Sequence, residues 1–374
     1  MGKYLKWWCL ILVIIIASMN SVISCKKIVI HKVFSDAPKI TEAGYVTLEK
    51  IYSIDVTDIN LFNKEGAYEK IIAFDSQENM YVADSFQSKI YVYDNSGKLK
   101  YSFGKHGEGP NDFSTVNRIL IDGNILRVFQ GANIIKNMSL SGEYISKDLI
   151  YIENRLSVKN VGDNYYVMRG KPYDKFTKLD LILSFMDRKM SKNRDIFIYN
   201  YPPGFKGTNY DFRYFNWLLV TNNGEFYFPE SNFDKYSIIH YDKEGKPKKM
   251  FGRNYDIKKY SREAENRFKN IYKDQIEKGE AKFPNNPPVI NLMFQDKHDN
   301  IWALVGETYE DNRNREFENT VDLFDSNGEW LHSIKTKYIS KYCIYNNGKI
   351  YKAMPMDEET FKKYIEVYEI KYKN

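Results

Sequence analysis

Five histidines, His31, His106, His240, His298 and His332, are the side chains best suited to proton transfer or metal ligation near neutral pH. No two of them stand at the spacing of a helical metal pair, and none lies near a cysteine at zinc-ligand spacing. No Gly-x-Ser-x-Gly elbow offers a serine nucleophile, and no ladder of alternating carboxylates offers a calcium loop. Asp75, Asp94, Asp242, Asp296 and Asp325 recur beside Asn and Gly at matching places, as tight turns demand, so each reads as structural first. His240 and His298 fall in the same recurring pattern and read the same way. Gly104, Gly107 and Gly109 have the spacing of a phosphate loop, but such a loop joins a strand to a helix. Val116 to Ile121 follows and reads as a strand, so the glycines are expected in a tight connection between sheets. The sequence thus names no catalytic residue, no cofactor-binding residue and no metal ligand.

The cysteines are Cys9, Cys25 and Cys343. The first two belong to a leader that opens with Lys3 and Lys6 and continues in an unbroken apolar run of eleven residues, Trp7 to Ala17. A spanning helix needs about 20 apolar residues. The shorter run suits the hydrophobic part of a signal peptide. Val22-Ile23-Ser24-Cys25 resembles the lipobox of bacterial lipoproteins, with Val22 where Leu is commoner. The resemblance implies that the Cys25 thiol takes a diacylglyceryl group and that cleavage leaves Cys25 as the first residue. Each buried acyl methylene contributes about 0.8 kcal/mol, so two or three chains hold a protein firmly at a membrane. Lys26, rather than the Asp of inner-membrane retention, favours the outer membrane in a host that has one. The expected division opens with a signal peptide over 1–24 and a lipidated tether and entry strand over 25–44. Cys343 has no internal disulfide partner and is expected as a buried, inert thiol.

The elements that must hold any site repeat along the chain. Asp75-Ser76-Gln77-Glu78-Asn79-Met80-Tyr81-Val82 aligns without a gap on Asp296-Lys297-His298-Asp299-Asn300-Ile301-Trp302-Ala303. Each is followed by a second turn, Asp94 to Gly97 and Asp325 to Gly328. A third copy runs from Asn222-Asn223-Gly224 to Asp242 and Gly245. Weaker copies begin at Asp122, Gly162 and Asn346. The six copies carry anchors at Tyr81, Leu126, Tyr166, Tyr227, Trp302 and Tyr351. Asp, Asn and Gly close hairpins because they tolerate positive φ. Alternation between the turns, as in Ile90-Tyr91-Val92-Tyr93, predicts strands with one face buried. A sheet of this kind cannot bury itself alone, and stacking copies around an axis solves that problem. The expected fold is all-β: one β-propeller domain over 45–374, of six four-stranded antiparallel blades, with seven as the alternative count. Tyr45 to Asp55 is expected to pair with the last blade, so that both chain ends close one sheet. Between the fourth and fifth anchors the pattern turns helical near 258–283, where Ser261 can cap and Phe268, Ile271, Tyr272 and Gln275 share a face.

Gly104-Lys105-His106-Gly107-Glu108-Gly109-Pro110-Asn111-Asp112-Phe113 resembles a hallmark of six-bladed propellers related to NHL repeats. Lys105, Asn111 and Asp112 stand where that family has Arg, Gly and Glu. The resemblance spans 45–374 in architecture and is sharpest over 70–115, weaker over 217–255 and 292–336. Some six-bladed propellers are calcium-dependent lactonase-type hydrolases or lyases with metal ligands around the channel, so a metal-dependent enzyme is one alternative. No such ligand set is visible here, and fold does not dictate function.

Bulk composition narrows the rest. Hydrophobic residues make up 43%, enough for a full core, and 16% aromatics favour pleated sheet. The net charge of +6 is spread along the chain without a long basic run, which fits a solvated surface better than a nucleic-acid partner. The favoured expectation is an envelope lipoprotein, outside the cytoplasm, whose propeller is a scaffold for a protein, peptide or glycan. Aromatic contacts would come from Tyr199 to Tyr210, Phe212, Tyr214, Phe215 and Trp217.

Overall fold

Aspartate closes the hairpins from which the molecule is built. The Asp75 carboxylate accepts the backbone N–H groups of Gln77 and Asn79, both at 2.9 Å. Asp94, Asp242, Asp296 and Asp325 bind the second and fourth following N–H groups in the same way. The residue three after the Asp adopts a left-handed backbone, with φ of 85° at Gly97 and Gly245 but 62° at Glu78 and Asp299. The computed structural model describes residues 30–60, 71–131, 133–149, 155–161, 164–172, 179–187, 192–200, 218–230, 235–257, 259, 262–271, 273–277, 286, 289–306, 318–340, 343–354, 357 and 359–373. Cys25 and the aromatic run from 201 to 217 lie outside the described residues.

Strands β1 (His31–Ser35) and β2 (Val46–Asp55) open the chain. The first blade is β3 (Ile72–Phe74), β4 (Met80–Asp84), β5 (Lys89–Tyr93) and β6 (Leu99–Phe103). The second is β7 (Arg118–Asp122), β8 (Ile125–Gln130), β9 (Ile134–Ser139) and β10 (Tyr144–Leu149). The third is β11 (Arg155–Val161), β12 (Asn164–Pro172), β13 (Leu179–Met186) and β14 (Lys192–Asn200). The fourth is β15 (Leu219–Val220), β16 (Phe226–Pro229), β17 (Ser237–Tyr241) and β18 (Pro247–Arg253). Helices α1 (Arg262–Ile271) and α2 (Lys273–Glu277) lie in the long link to the fifth blade. That blade is β19 (Ile290–Gln295), β20 (Ile301–Val305), β21 (Asn319–Phe324) and β22 (Trp330–Thr336). The sixth uses β23 (Ile344–Asn346), β24 (Lys349–Ala353) and β25 (Tyr364–Tyr372).

Each sheet is an antiparallel meander, and the sixth is completed by β2 in the order β2-β25-β24-β23. The register runs from Val46 opposite Tyr372 to Asp55 opposite Tyr364. Both chain ends thereby share one sheet, as expected for Tyr45 to Asp55. The fourth sheet gains a fifth strand, because β1 lies beside β18. The entry strand expected before Gly44 is thus β1, and it joins the fourth sheet.

All six anchors sit on the second strand of their blade, at 5% exposure or less. The expectation of one buried face per strand is corrected. In β4 and β20 every residue is buried, because a blade has a neighbour on both sides. Among the described residues it is chiefly the outermost strands that meet water, as at Leu99 and Lys100 on β6. The core is accordingly a series of layers between blades. Ile90, Phe113 and Val128 belong to one layer, and Phe251, Phe324 and Trp330 to another. Glycine sets the closeness of two such layers. A Cβ on Gly142 would come within 2.5 Å of the Phe103 ring of the preceding blade, and one on Gly328 within 2.6 Å of Phe251.

Candidate functional site

The first strand of each blade has one partner only, so its other edge is open. β3 lies beside β7, and β15 beside β19, which puts these open edges around a common axis. Strand alternation then sorts the loops. Turns after first and third strands, short and built on Asp, Asn or Gly wherever they are described, crowd one face. Second strands end, and fourth strands end, at the other.

A cavity of 580 Å³ lies on the axis between the fourth, fifth and sixth blades. Leu218, Leu219, Leu292, Met293, Cys343 and Ile344 line its depth, and Asn222, Lys297, Asp299, Asn346 and Asn347 its short-turn end. Asn222, Lys297, Asp299 and Asn347 are exposed there. Between the two zones the Tyr345 ring stacks on Phe294 at 4.7 Å and 15°, and Phe294 on Trp302 at 5.4 Å and 16°. Burial pushes the Tyr345 phenol up, so it stays neutral. Its oxygen accepts the Gly348 N–H at 3.0 Å, which fixes the ring against the hairpin at the rim.

Asp296 is the carboxylate nearest to a chemical role, and its environment has already used it. It accepts the N–H groups of His298 at 2.8 Å and Asn300 at 3.0 Å. It also takes the Asn300 amide at 3.2 Å, the Trp302 indole at 2.9 Å and the Tyr372 hydroxyl. A carboxylate has about four acceptor directions, so five donors leave none for a metal or a substrate proton. Asp299 is the other acid at the mouth, and the Gln295 amide donates to it at 3.2 Å. Among the described residues no group of three or more His, Cys, Asp or Glu could hold a metal ion. The arrangement offers amide side chains, one ammonium and open backbone edges, which is chemistry for holding a ligand.

Of the other singled-out residues, Cys343 lines the cavity and His298 shares the rim turn of Asp296, while the rest stay apart. His240 bonds Glu225 Oε2 at 2.8 Å and stacks on Tyr227 at 4.3 Å. Burial lowers its pKa, against the opposing pull of Glu225. His298 meets the Tyr372 ring edge-on at 5.1 Å, and His332 Nδ1–H donates to the Ile40 carbonyl at 2.7 Å. His106 pairs with Phe113 in the link between the first two blades. The glycine run lies in that link, where a Gly104 Cβ would strike the buried Phe113 ring at 2.3 Å and Lys136 Nζ holds the Gly109 and Asp112 carbonyls at 2.6 and 2.5 Å. It joins strand to strand and builds no anion nest at a helix. Cys343 is buried beside the cavity, where its Sγ accepts the Ser340 N–H at 3.3 Å. The lining residues Leu219, Phe294 and Tyr345 escaped sequence reasoning. Their one signal was position, since each stands one to three residues before a recurring turn.

A family model described as a 6-bladed beta-propeller, DUF5128, matches residues 66–209. The six sheets meet that description around the whole ring. The chain is a six-bladed β-propeller. Solved structures agree over nearly its full length. A member of the DUF4221 family from Bacteroides vulgatus ATCC 8482 is 15% identical, with a TM-score of 0.50 over 89% of this chain and 100% of that one. An exported-protein candidate from Bacteroides fragilis NCTC 9343 is 11% identical, with a TM-score of 0.51 over 92% and 99%. At such identities the likeness is one of fold. No curated protein matches the sequence.

Proposed function

We propose that this propeller is a lipid-anchored envelope protein, held outside the cytoplasm by Cys25, and that it binds a protein, peptide or glycan at the short-turn mouth of its channel without chemical conversion. The observation that carries the reading is the cavity of 580 Å³ with its open strand edges and amide-rich rim. The use of Asp296 as a five-donor turn and blade clamp supports binding over acid–base work. The leader supports the address, because a short apolar run followed by Val22-Ile23-Ser24-Cys25 suits lipidation better than a spanning helix.

The test has two arms. Peptide and glycan arrays probed with the propeller are repeated with Asn222→Trp, which fills the mouth from an exposed position. The reading expects hits that the variant loses while its thermal unfolding is unchanged. Hits retained in full by the variant, or turnover of a bound compound, would refute it. Intact mass of membrane-extracted protein tests the anchor, and a mature chain without acyl mass on Cys25 would defeat that part.

A further inference from the structure

Residues 31–40 form a belt along the outside of the ring. β1 extends the fourth blade beyond β18. Val33 packs inward on the layer between the fourth and fifth blades. Lys32 and Phe34 point outward, and Phe34 is 51% exposed. Asp36 then accepts the Asn254 amide at 2.5 Å. The N–H groups of Lys39 and Ile40 donate to the Trp330 and Leu331 carbonyls at 3.0 and 2.8 Å, on the outer strand of the fifth blade. β2 is itself the outer strand of the sixth. The chain thus runs along the rims of three successive blades, starting at the fourth.

We propose that the outer rim of the fourth blade, with β1 upon it, rests on the anionic phospholipid headgroup layer of the membrane that holds the Cys25 lipid. The ring then stands on its edge, with its channel axis along the membrane plane and both faces open to the aqueous side. The proposal rests on the lipidation reading above.

Length is the first argument. From Cys25 to His31 there are six residue steps. At no more than about 3.5 Å each they reach about 20 Å. A domain the size of residues 32–374 has a radius of gyration of about 20 Å and is therefore about 50 Å across. The tether is shorter than half that width, so the start of β1 stays near the headgroups and the opposite blade does not reach them. Composition is the second. Residues 26–35 hold Lys26, Lys27 and Lys32 with no carboxylate. Lysines draw this rim to negative headgroups, and the outward Phe34 ring can sit at their depth. Of these, Lys32 and the Phe34 ring lie on the outer face of β1.

A matched pair of labels tests it. Leu99 lies on β6, the outer strand of the first blade, opposite the fourth in a ring of six, and is 49% exposed. Phe34→Cys and Leu99→Cys are made in the full lipidated chain, whose own Cys343 is buried. Each is labelled with an environment-sensitive fluorophore and placed in vesicles of phosphatidylethanolamine and phosphatidylglycerol carrying a spin-labelled quencher lipid. Intact mass establishes acylation in the same preparation. Quenching several-fold stronger at position 34 than at 99 is the expected result. Equal quenching at the two positions, or stronger quenching at 99, in acylated protein overturns the edge-on placement and leaves the anchor intact. Absence of acyl mass overturns the anchor and the placement together. Lys32→Cys, exposed on the same face of β1, repeats the test if Phe34→Cys does not fold.

Discussion

Asp75 and Asp296 occupy the same turn in two blades, yet their loss should differ in cost by several kcal/mol. Both cap their turns with two backbone N–H groups and an Asn amide. The difference lies beyond the turn. Tyr81 is the extra donor at Asp75, at a long 3.4 Å, and the Leu140 carbonyl stands at 3.3 Å as a second acceptor. Asp75→Ala therefore leaves Tyr81 satisfied. At Asp296 the extra donors are the Trp302 indole at 2.9 Å and the Tyr372 hydroxyl, which comes from the strand that closes the ring. Trp302 is 1% exposed, so its N–H has no water to turn to. Each stranded donor costs about 1–3 kcal/mol. Asp296→Ala should thus exceed Asp75→Ala by about 2–4 kcal/mol. With an unfolding entropy of about 2.1 cal/mol/K per residue over about 340 residues, one degree of Tm corresponds to about 0.7 kcal/mol. The gap between the two variants should be about 3–6 °C by calorimetry in one buffer. Asp296→Asn should recover little, because its amide nitrogen would face two donors in one orientation and three in the other. Equal Tm losses for the two Ala variants, or a neutral Asp296→Asn, would refute the clamp.

Further outcomes follow from single positions. Gly44→Ala meets nothing within 4 Å at φ +80°, so it should cost only the left-handed backbone, about 1–2 kcal/mol. Gly245→Ala has φ +85° and sets its Cβ 2.2 Å from the Ile196 carbonyl of the third blade, so its denaturant midpoint should fall clearly further. Asp299 holds φ 62° on the exposed rim, and Asp299→Gly should raise stability by about 0.5 kcal/mol in the same assay. For His240, burial sets the folded pKa below the unfolded value of about 6.5. The unfolded chain then takes up the proton first. Its contribution is complete above about pH 6.5 and is lost as pH falls from there toward the folded value. His240→Phe keeps a ring on Tyr227 and should flatten that part of a Tm–pH curve, and an unchanged curve would exclude His240 as its source.

The repeat was legible because turn chemistry is local. An Asp or Asn that must bind two nearby N–H groups, followed by a large anchor, fixes where second strands lie, and Tyr81, Tyr227 and Trp302 all landed there. Leu126 and Tyr166 were found by the same beat even where the copies are eroded. The channel was not legible. β15 has two residues and β3 three, too few to show any period, and their places at the axis exist only once the ring is closed. The double-sided burial of β4 was hidden for a related reason, since alternation reports one sheet while the blade on its far side is a tertiary fact. The belt of 31–40 escaped because nothing in its residues marks which outer edge they will cover.

Closure also divides the labour among the residues. Inner blade residues are pinned from both sides, and turn carboxylates such as Asp296 are saturated by donors that hold one blade to the next. These positions cannot change without loosening the ring. The mouth is built differently: Asn222 and Lys297 are exposed on turns whose shape is set by their neighbours, Gly224 and Asp296. Their side chains are free to vary in type while the turn persists. A scaffold that keeps its fold in the aspartates and its specificity in the residues beside them can change ligands one turn at a time. Lys297→Glu should on this logic alter what the channel holds and leave Tm within about 1 °C, as surface substitutions away from packed features usually do. A large Tm loss in that variant would mean that fold and specificity share the same side chains after all.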